Sequence, residues 1–174
     1  PCFYLHYAFR LNSGVSSACE GGWMRTNYVL IDYENVQPSA FAILDQELFQ
    51  VVVFVGATQP KISFDIAAAL QHIGSRAKYI KIAGNGSNAL DFHIAYYIGS
   101  IAAREPDAYF HIISKDTGFD PLIQHLKTQK VHASRSRDIT DIPIVKAATA
   151  ISPQEKVEVI ISNFQQRGTS KPRT

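Results

Sequence analysis

The sequence predicts a doubly wound α/β fold of three layers, with helices on both faces of a mostly parallel, five-stranded sheet. Two features carry that expectation. Apolar, β-branched runs alternate with helical patterns between residues 27 and 133, and the runs are near-continuous, as strands buried on both faces require. Acidic residues directly follow the first and fourth runs, at the strand ends where doubly wound sheets bind ligands.

The first strand is expected at residues 28–31, inside Asn27-Tyr-Val-Leu-Ile-Asp32. A helical pattern at 40–49 leads to a second strand at 51–55, Val-Val-Val-Phe-Val. The next helix covers 64–73 and stops at Gly74, since glycine accepts the left-handed backbone that closes a helix. A third strand at 79–82 opens into Ala83-Gly-Asn-Gly-Ser-Asn88, and a helix follows at 89–103. The fourth strand is 109–113. A helix takes 121–128, with Pro121 suited to its first position, and a short strand at 130–133 closes the body.

The ends read differently. Residues 1–26 show neither period 2 nor period 3.6, do not resemble a secretory signal, and are expected to be an extension outside the fold. Met24 stands three residues before the first strand, so the natural start is expected there, and removing residues 1–23 is expected to leave thermal stability unchanged. Residues 134–174 read as a linker, a helix at 152–164 and a basic tail. Ser152, Pro153 and Glu155 supply that helix's N-cap, first position and capping box.

Composition narrows the class. With 46% hydrophobic and 18% charged residues the chain is too apolar for disorder, and 2 Cys are too few for a disulfide scaffold. Both cysteines, Cys2 and Cys19, fall in the N-terminal segment, so a reducing, cytoplasmic compartment is expected. No apolar run approaches the ~18 residues that span a bilayer, and no membrane partner is expected. The net charge of +2 hides segregation: residues 27–133 hold 8 Lys plus Arg against 10 Asp plus Glu, whereas residues 134–174 hold 7 against 4.

The acids of the body are placed for chemistry. Asp32 and Asp116 end the first and fourth strands, and face one cleft if those strands are neighbours. Asp91, in the first turn of the 89–103 helix, and Asp120, before Pro121, can reach the same cleft; for Asp120 an N-cap role is the alternative. Carboxylates so crowded repel unless a cation neutralises them, and oxygen-only ligation points to Mg²⁺ or Mn²⁺ rather than zinc. Glu34 is either a further ligand or a solvent-facing side chain. Asn35 and Ser114 are expected to support the carboxylates by hydrogen bonds. Lys115, Lys81, Lys61 and Asn88 are candidates for contacting a phosphate backbone.

Other chemistries lack their residues. There is no P-loop GxxxxGK[ST], and Gly84-Asn-Gly86 follows the third strand rather than the first, so it is no dinucleotide fingerprint. His72, His93, His111 and His125, with Tyr96 and Tyr97, read as packed residues. A phosphoacceptor domain would want an aspartate after the third strand, where Ile82-Ala-Gly stands instead.

Three segments carry a resemblance: Tyr28-Val-Leu-Ile-Asp-Tyr-Glu-Asn35, Asn88-Ala-Leu-Asp91 at a helix start, and Ile112-Ile-Ser-Lys-Asp-Thr-Gly-Phe-Asp-Pro-Leu-Ile123. In this order they resemble the PIN-like nuclease superfamily, in particular its NYN-type members, over residues 27–133. The resemblance implies a Rossmann-like sheet, metal-dependent ribonuclease activity, and metal binding by Asp32, Asp91 and Asp116. The chain departs from the pattern at Gly118, where many relatives carry a second aspartate, and Asp120 is the expected substitute.

The function expected is therefore an endoribonuclease that hydrolyses single-stranded or structured RNA with an aspartate-held Mg²⁺ or Mn²⁺. The alternative is an inactive module of the same fold that binds RNA or protein. A homodimer, and a further domain docking on the C-terminal segment, are left open.

Overall fold

The computed structural model describes residues 25–86, 88–149 and Ile161. Five strands form one sheet in the order β3-β2-β1-β4-β5, and every neighbouring pair is parallel. They are β1 Asn27–Asp32, β2 Phe49–Val55, β3 Ala77–Lys81, β4 Tyr109–Ile113 and β5 His132–Ser136. Helices α1 Phe64–Ile73, α2 Ala89–Ala102, α3 Phe119–Thr128 and α4 Pro143–Thr149 complete the fold. None of the described helices is long and apolar enough to cross a membrane.

Alternation along each strand divides the core in two. Val29, Ile31, Val51, Val53 and Ile113 point to one face and pack with Ile66, Leu70 and Ile73 of α1 and Val145 of α4. Leu30, Val52, Phe54, Phe110 and Ile112 point to the other, against Leu90, Ile94, Ile98 and Ile101 of α2 and Phe119 and Leu126 of α3. This is the expected three-layer arrangement. Each central strand is apolar on both faces because each face is covered.

Several elements differ from their expected extents. The helix expected at 40–49 is only a 3-10 turn, Phe41–Leu44, whose Phe41 and Leu44 are buried. Phe49 is drawn into β2 instead, opposite Asn27 in the parallel register, and little chain remains for a helix. The fifth strand starts at His132 rather than residue 130, because Lys130 takes a left-handed backbone, φ 61°, in the turn that ends α3. Its sequence, His-Ala-Ser-Arg-Ser, is that of a half-covered edge strand.

The packed body also runs past the expected boundary at residue 133. Ile139, Ile142 and Val145 are fully enclosed in the α1-side core, with α4 among the residues read as linker. The helix expected at 152–164 lies outside the described residues apart from Ile161, as do residues 1–24 and the basic tail.

Candidate active site

The strand order places the site. Crossovers from β1 proceed outward through β2 and β3, and the chain then returns to lay β4 against the other edge of β1, so the winding reverses between β1 and β4. The crevice opens at their carboxyl ends. Ile31 pairs with Ile113, so Asp32 and Ser114 emerge side by side one residue later. Since Leu30 faces α2 and Ile31 the opposite layer, alternation returns Asp32 to the α2 side, where Asp91 begins the helix.

A cleft of about 250 Å³ lies there, lined by Asp32, Glu34, Asn35, Asn88, Asp91 and Asp116, together with Ala57 and Thr58 after β2 and the Gly84–Gly86 turn after β3. Asp32 is 1% exposed and both its carboxylate oxygens accept hydrogen bonds. Ser114 Oγ donates to its Oδ2 at 2.8 Å, Asn35 Nδ2 donates to the same oxygen at 2.7 Å, and the Asn35 backbone N–H donates to Oδ1 at 3.2 Å. Ser114 Oγ also accepts from the Asp116 N–H at 3.0 Å. One buried hydroxyl thus ties the two strand-end aspartates together.

Asp116 is held from its other side. The Gly118 N–H donates to Asp116 Oδ1 at 2.7 Å, and a methyl group on Gly118 would stand 3.1 Å from that oxygen. Gly118 thus shapes the turn that orients Asp116. Asn88, just before α2, takes a left-handed backbone with φ 62°, which asparagine adopts more readily than most residues.

The electrostatics are one-sided. Burial pushes the Asp91 carboxyl above its ordinary value, and the Asp32, Asp116 and Glu34 carboxylates push it further. Among the described residues, no Lys, Arg or His forms an ion pair with any of these four acids. Equally, no three Asp, Glu, His or Cys groups among the described residues converge closely enough to hold one ion directly. The donor set nevertheless suits a hard divalent cation, since Mg²⁺ usually keeps several waters and takes only one or two carboxylates.

The other candidates lie elsewhere. Asp120 is not the N-cap of α3, which starts two residues earlier than expected, at Phe119, with Gly118 as its cap. Its carboxylate accepts from Arg135 Nε at 2.8 Å and Nη2 at 3.1 Å, away from the cleft lining, and this pairing holds it below the usual carboxylate range. Arg135 also donates to the Ser114 carbonyl at 3.3 Å. Lys61, Lys81 and Lys115 are exposed and do not line the cleft, whereas Asn88 does. Of the aromatic and histidine residues read as packed, His111 is buried, but His72, His125 and Tyr96 are exposed.

Sequence reasoning passed over Gly56, Ala57 and Thr58. A methyl group on Gly56 would fall inside the Glu34 carboxylate, so this glycine makes room for Glu34 at the cleft wall. The signal was available. A glycine ending the five-residue apolar run beside β1 stands at the same sheet edge as Asp32.

An all-parallel sheet that gathers acidic groups at its switch point defines a doubly wound α/β protein with an acidic strand-end cleft. The sequence matches the PIN domain over residues 26–136, and the chain belongs to that family. PIN domains are in general nucleases and typically use divalent metals. Comparison with curated proteins and with solved structures gives no match.

Proposed function

We propose that the chain is a metal-dependent endoribonuclease acting in the cytoplasm. The observation that carries this reading is the cleft itself: Asp32, Glu34, Asp91 and Asp116 share it, and none of the four forms an ion pair among the described residues. Like charges gathered without compensation are costly, and functional sites are where such cost is retained.

Asp32, Asp91 and Asp116 would hold Mg²⁺ or Mn²⁺ between them, one or two directly and the rest through the ion's waters, with Glu34 at the wall of the same cleft. When bound, such a cation polarises the phosphodiester and lowers the pKa of water. The protein's own part is placement. Ser114 and Asn35 fix both oxygens of Asp32, the Gly118 N–H fixes Asp116, and the left-handed Asn88 sets the start of α2 so that Asp91 enters the cleft. The side-chain amides of Asn85 and Asn88 offer uncharged donors to a phosphate where a lysine would instead pair with the acids. Asp120 is assigned to structure, through Arg135, rather than to the metal.

A second reading, an RNA- or protein-binding module without hydrolysis, is favoured by Gly118 and by the absence of a converged metal-binding trio among the described residues. Cleavage of labelled single-stranded RNA decides between them. The nuclease requires Mn²⁺- or Mg²⁺-dependent cleavage that Asp116→Asn abolishes; cleavage indifferent to that substitution, or none from the native protein with either metal, overturns it.

A further inference from the structure

We propose that the outer face of α2 is a stacking platform for the unpaired bases of single-stranded RNA, leading away from the acidic cleft. The proposal rests on reading that cleft as an RNA site and names the form of RNA it takes.

The observations form a continuous path. Asn88 and Asp91 line the cleft, and Phe92 follows at once on the helix. Phe92 and Tyr96 are each 69% exposed. They stand four residues apart, on one helix face and about 6 Å along its axis. The Tyr96 ring meets Tyr97 edge-on at 5.6 Å between centroids, and Lys78 Nζ lies 5.4 Å from the Tyr97 centroid. Lys78 is exposed on the edge strand β3 and, like Ile80, faces the α2 side of the sheet.

An ordinary exposed helix face carries charge. Between Asp91 and Arg104, α2 and its end contain no Asp, Glu, Lys or Arg, and the side chains offered to solvent are large rings. Tyr97 shows the contrast: it packs edge-on against the buried Phe54 at 5.4 Å, as a core aromatic does, whereas Phe92 and Tyr96 do not enter the core. Rings presented beside a lysine match single strands, whose bases have free π-faces and whose phosphates are attracted by a nearby cation. Paired bases in a duplex have no such faces to offer. A protein partner would also find the rings attractive, but the path begins at the cleft and has the Lys78 ammonium beside it, which favours a polyanion.

The test is fluorescence anisotropy with a short labelled single-stranded RNA and with the same sequence as a duplex, on the Asp116→Asn background so that nothing is cleaved. Phe92→Ala with Tyr96→Ala should weaken single-strand binding about tenfold or more. Duplex binding should change less than twofold, and Phe92→Trp with Tyr96→Phe should retain single-strand affinity. Unchanged melting temperature confirms folding. Failure of the parent to bind single-stranded RNA, unaltered affinity in the double alanine variant, or an equal loss for duplex overturns the platform. So does a loss of self-association by sedimentation with RNA affinity intact, which would make the face an interface between copies. If the native protein fails to cleave while the selective affinity loss appears, the nuclease reading falls and the platform stands.

Discussion

Ser114 Oγ donates to Asp32 Oδ2 at 2.8 Å while both residues are almost wholly buried, and Ser114 Oγ in turn accepts the Asp116 N–H. A charged acceptor raises the worth of such a bond, and deleting the donor leaves a buried carboxylate short of a partner. Ser114→Ala should therefore destabilise the protein by about 1–3 kcal/mol, measured by urea denaturation. It should also weaken metal affinity about 10–100-fold, measured by calorimetry with Mn²⁺, because Asp32 and Asp116 lose their shared anchor.

Asp91 stands among like charges. Its raised pKa means that the folded protein holds that proton more tightly than the unfolded chain does, so its contribution to stability is full at low pH and is lost as pH rises through the folded value. At neutral pH without metal, Asp91→Asn should raise the melting temperature by a few degrees. Millimolar Mn²⁺ should raise the melting temperature of the native protein, since it binds the folded state alone, and should do so far less in the variant.

Asp120 and Arg135 form a structural pair joining α3 to β5. The lowered pKa of Asp120 gives stability that is present above the unfolded carboxylate value and fades as pH falls through the folded one. Since the carboxylate is half exposed, the loss in Asp120→Asn should be at most about 1 kcal/mol at pH 7. The difference from native should close in acid, and the Mn²⁺-induced rise in melting temperature should persist.

Tyr28 titrates late. Burial, followed by the 2.7 Å hydrogen bond its hydroxyl donates to Glu105, lifts its pKa from 10.0 to about 12. Its raised value contributes stability below pH 10 that is lost between there and pH 12. Tyr28→Phe should flatten the fall of melting temperature over that alkaline range, and an ultraviolet titration of the native protein should show one tyrosine fewer ionising near pH 10.

How much of this was legible in the sequence varies with the physics of each element. Strands β1, β2 and β4 sit in the middle of the sheet with both faces covered, so their apolar runs announce them, and α1 carries Ser63 and Gly74 at its ends. The edge strand β5 needs little apolar surface, and its polar residues blurred its bounds, expected at 130–133 and found at His132–Ser136. Asp32, Asp91 and Asp116 followed from strand ends and a helix start. Asp120 looked equivalent because nothing local reveals that Arg135, fifteen residues on, would draw its carboxylate away. Tyr96 reads as packing because helical spacing alone does not say which of two adjacent tyrosines turns inward, and it is Tyr97 that meets Phe54.

The shared occupancy of one cleft by Asp32, Asp91 and Asp116 is tested most directly by anomalous diffraction from crystals grown with Mn²⁺. The expected result is a manganese peak among these three carboxylates, lost in Asp116→Asn. A peak elsewhere, or none in the cleft at millimolar Mn²⁺, would contradict it.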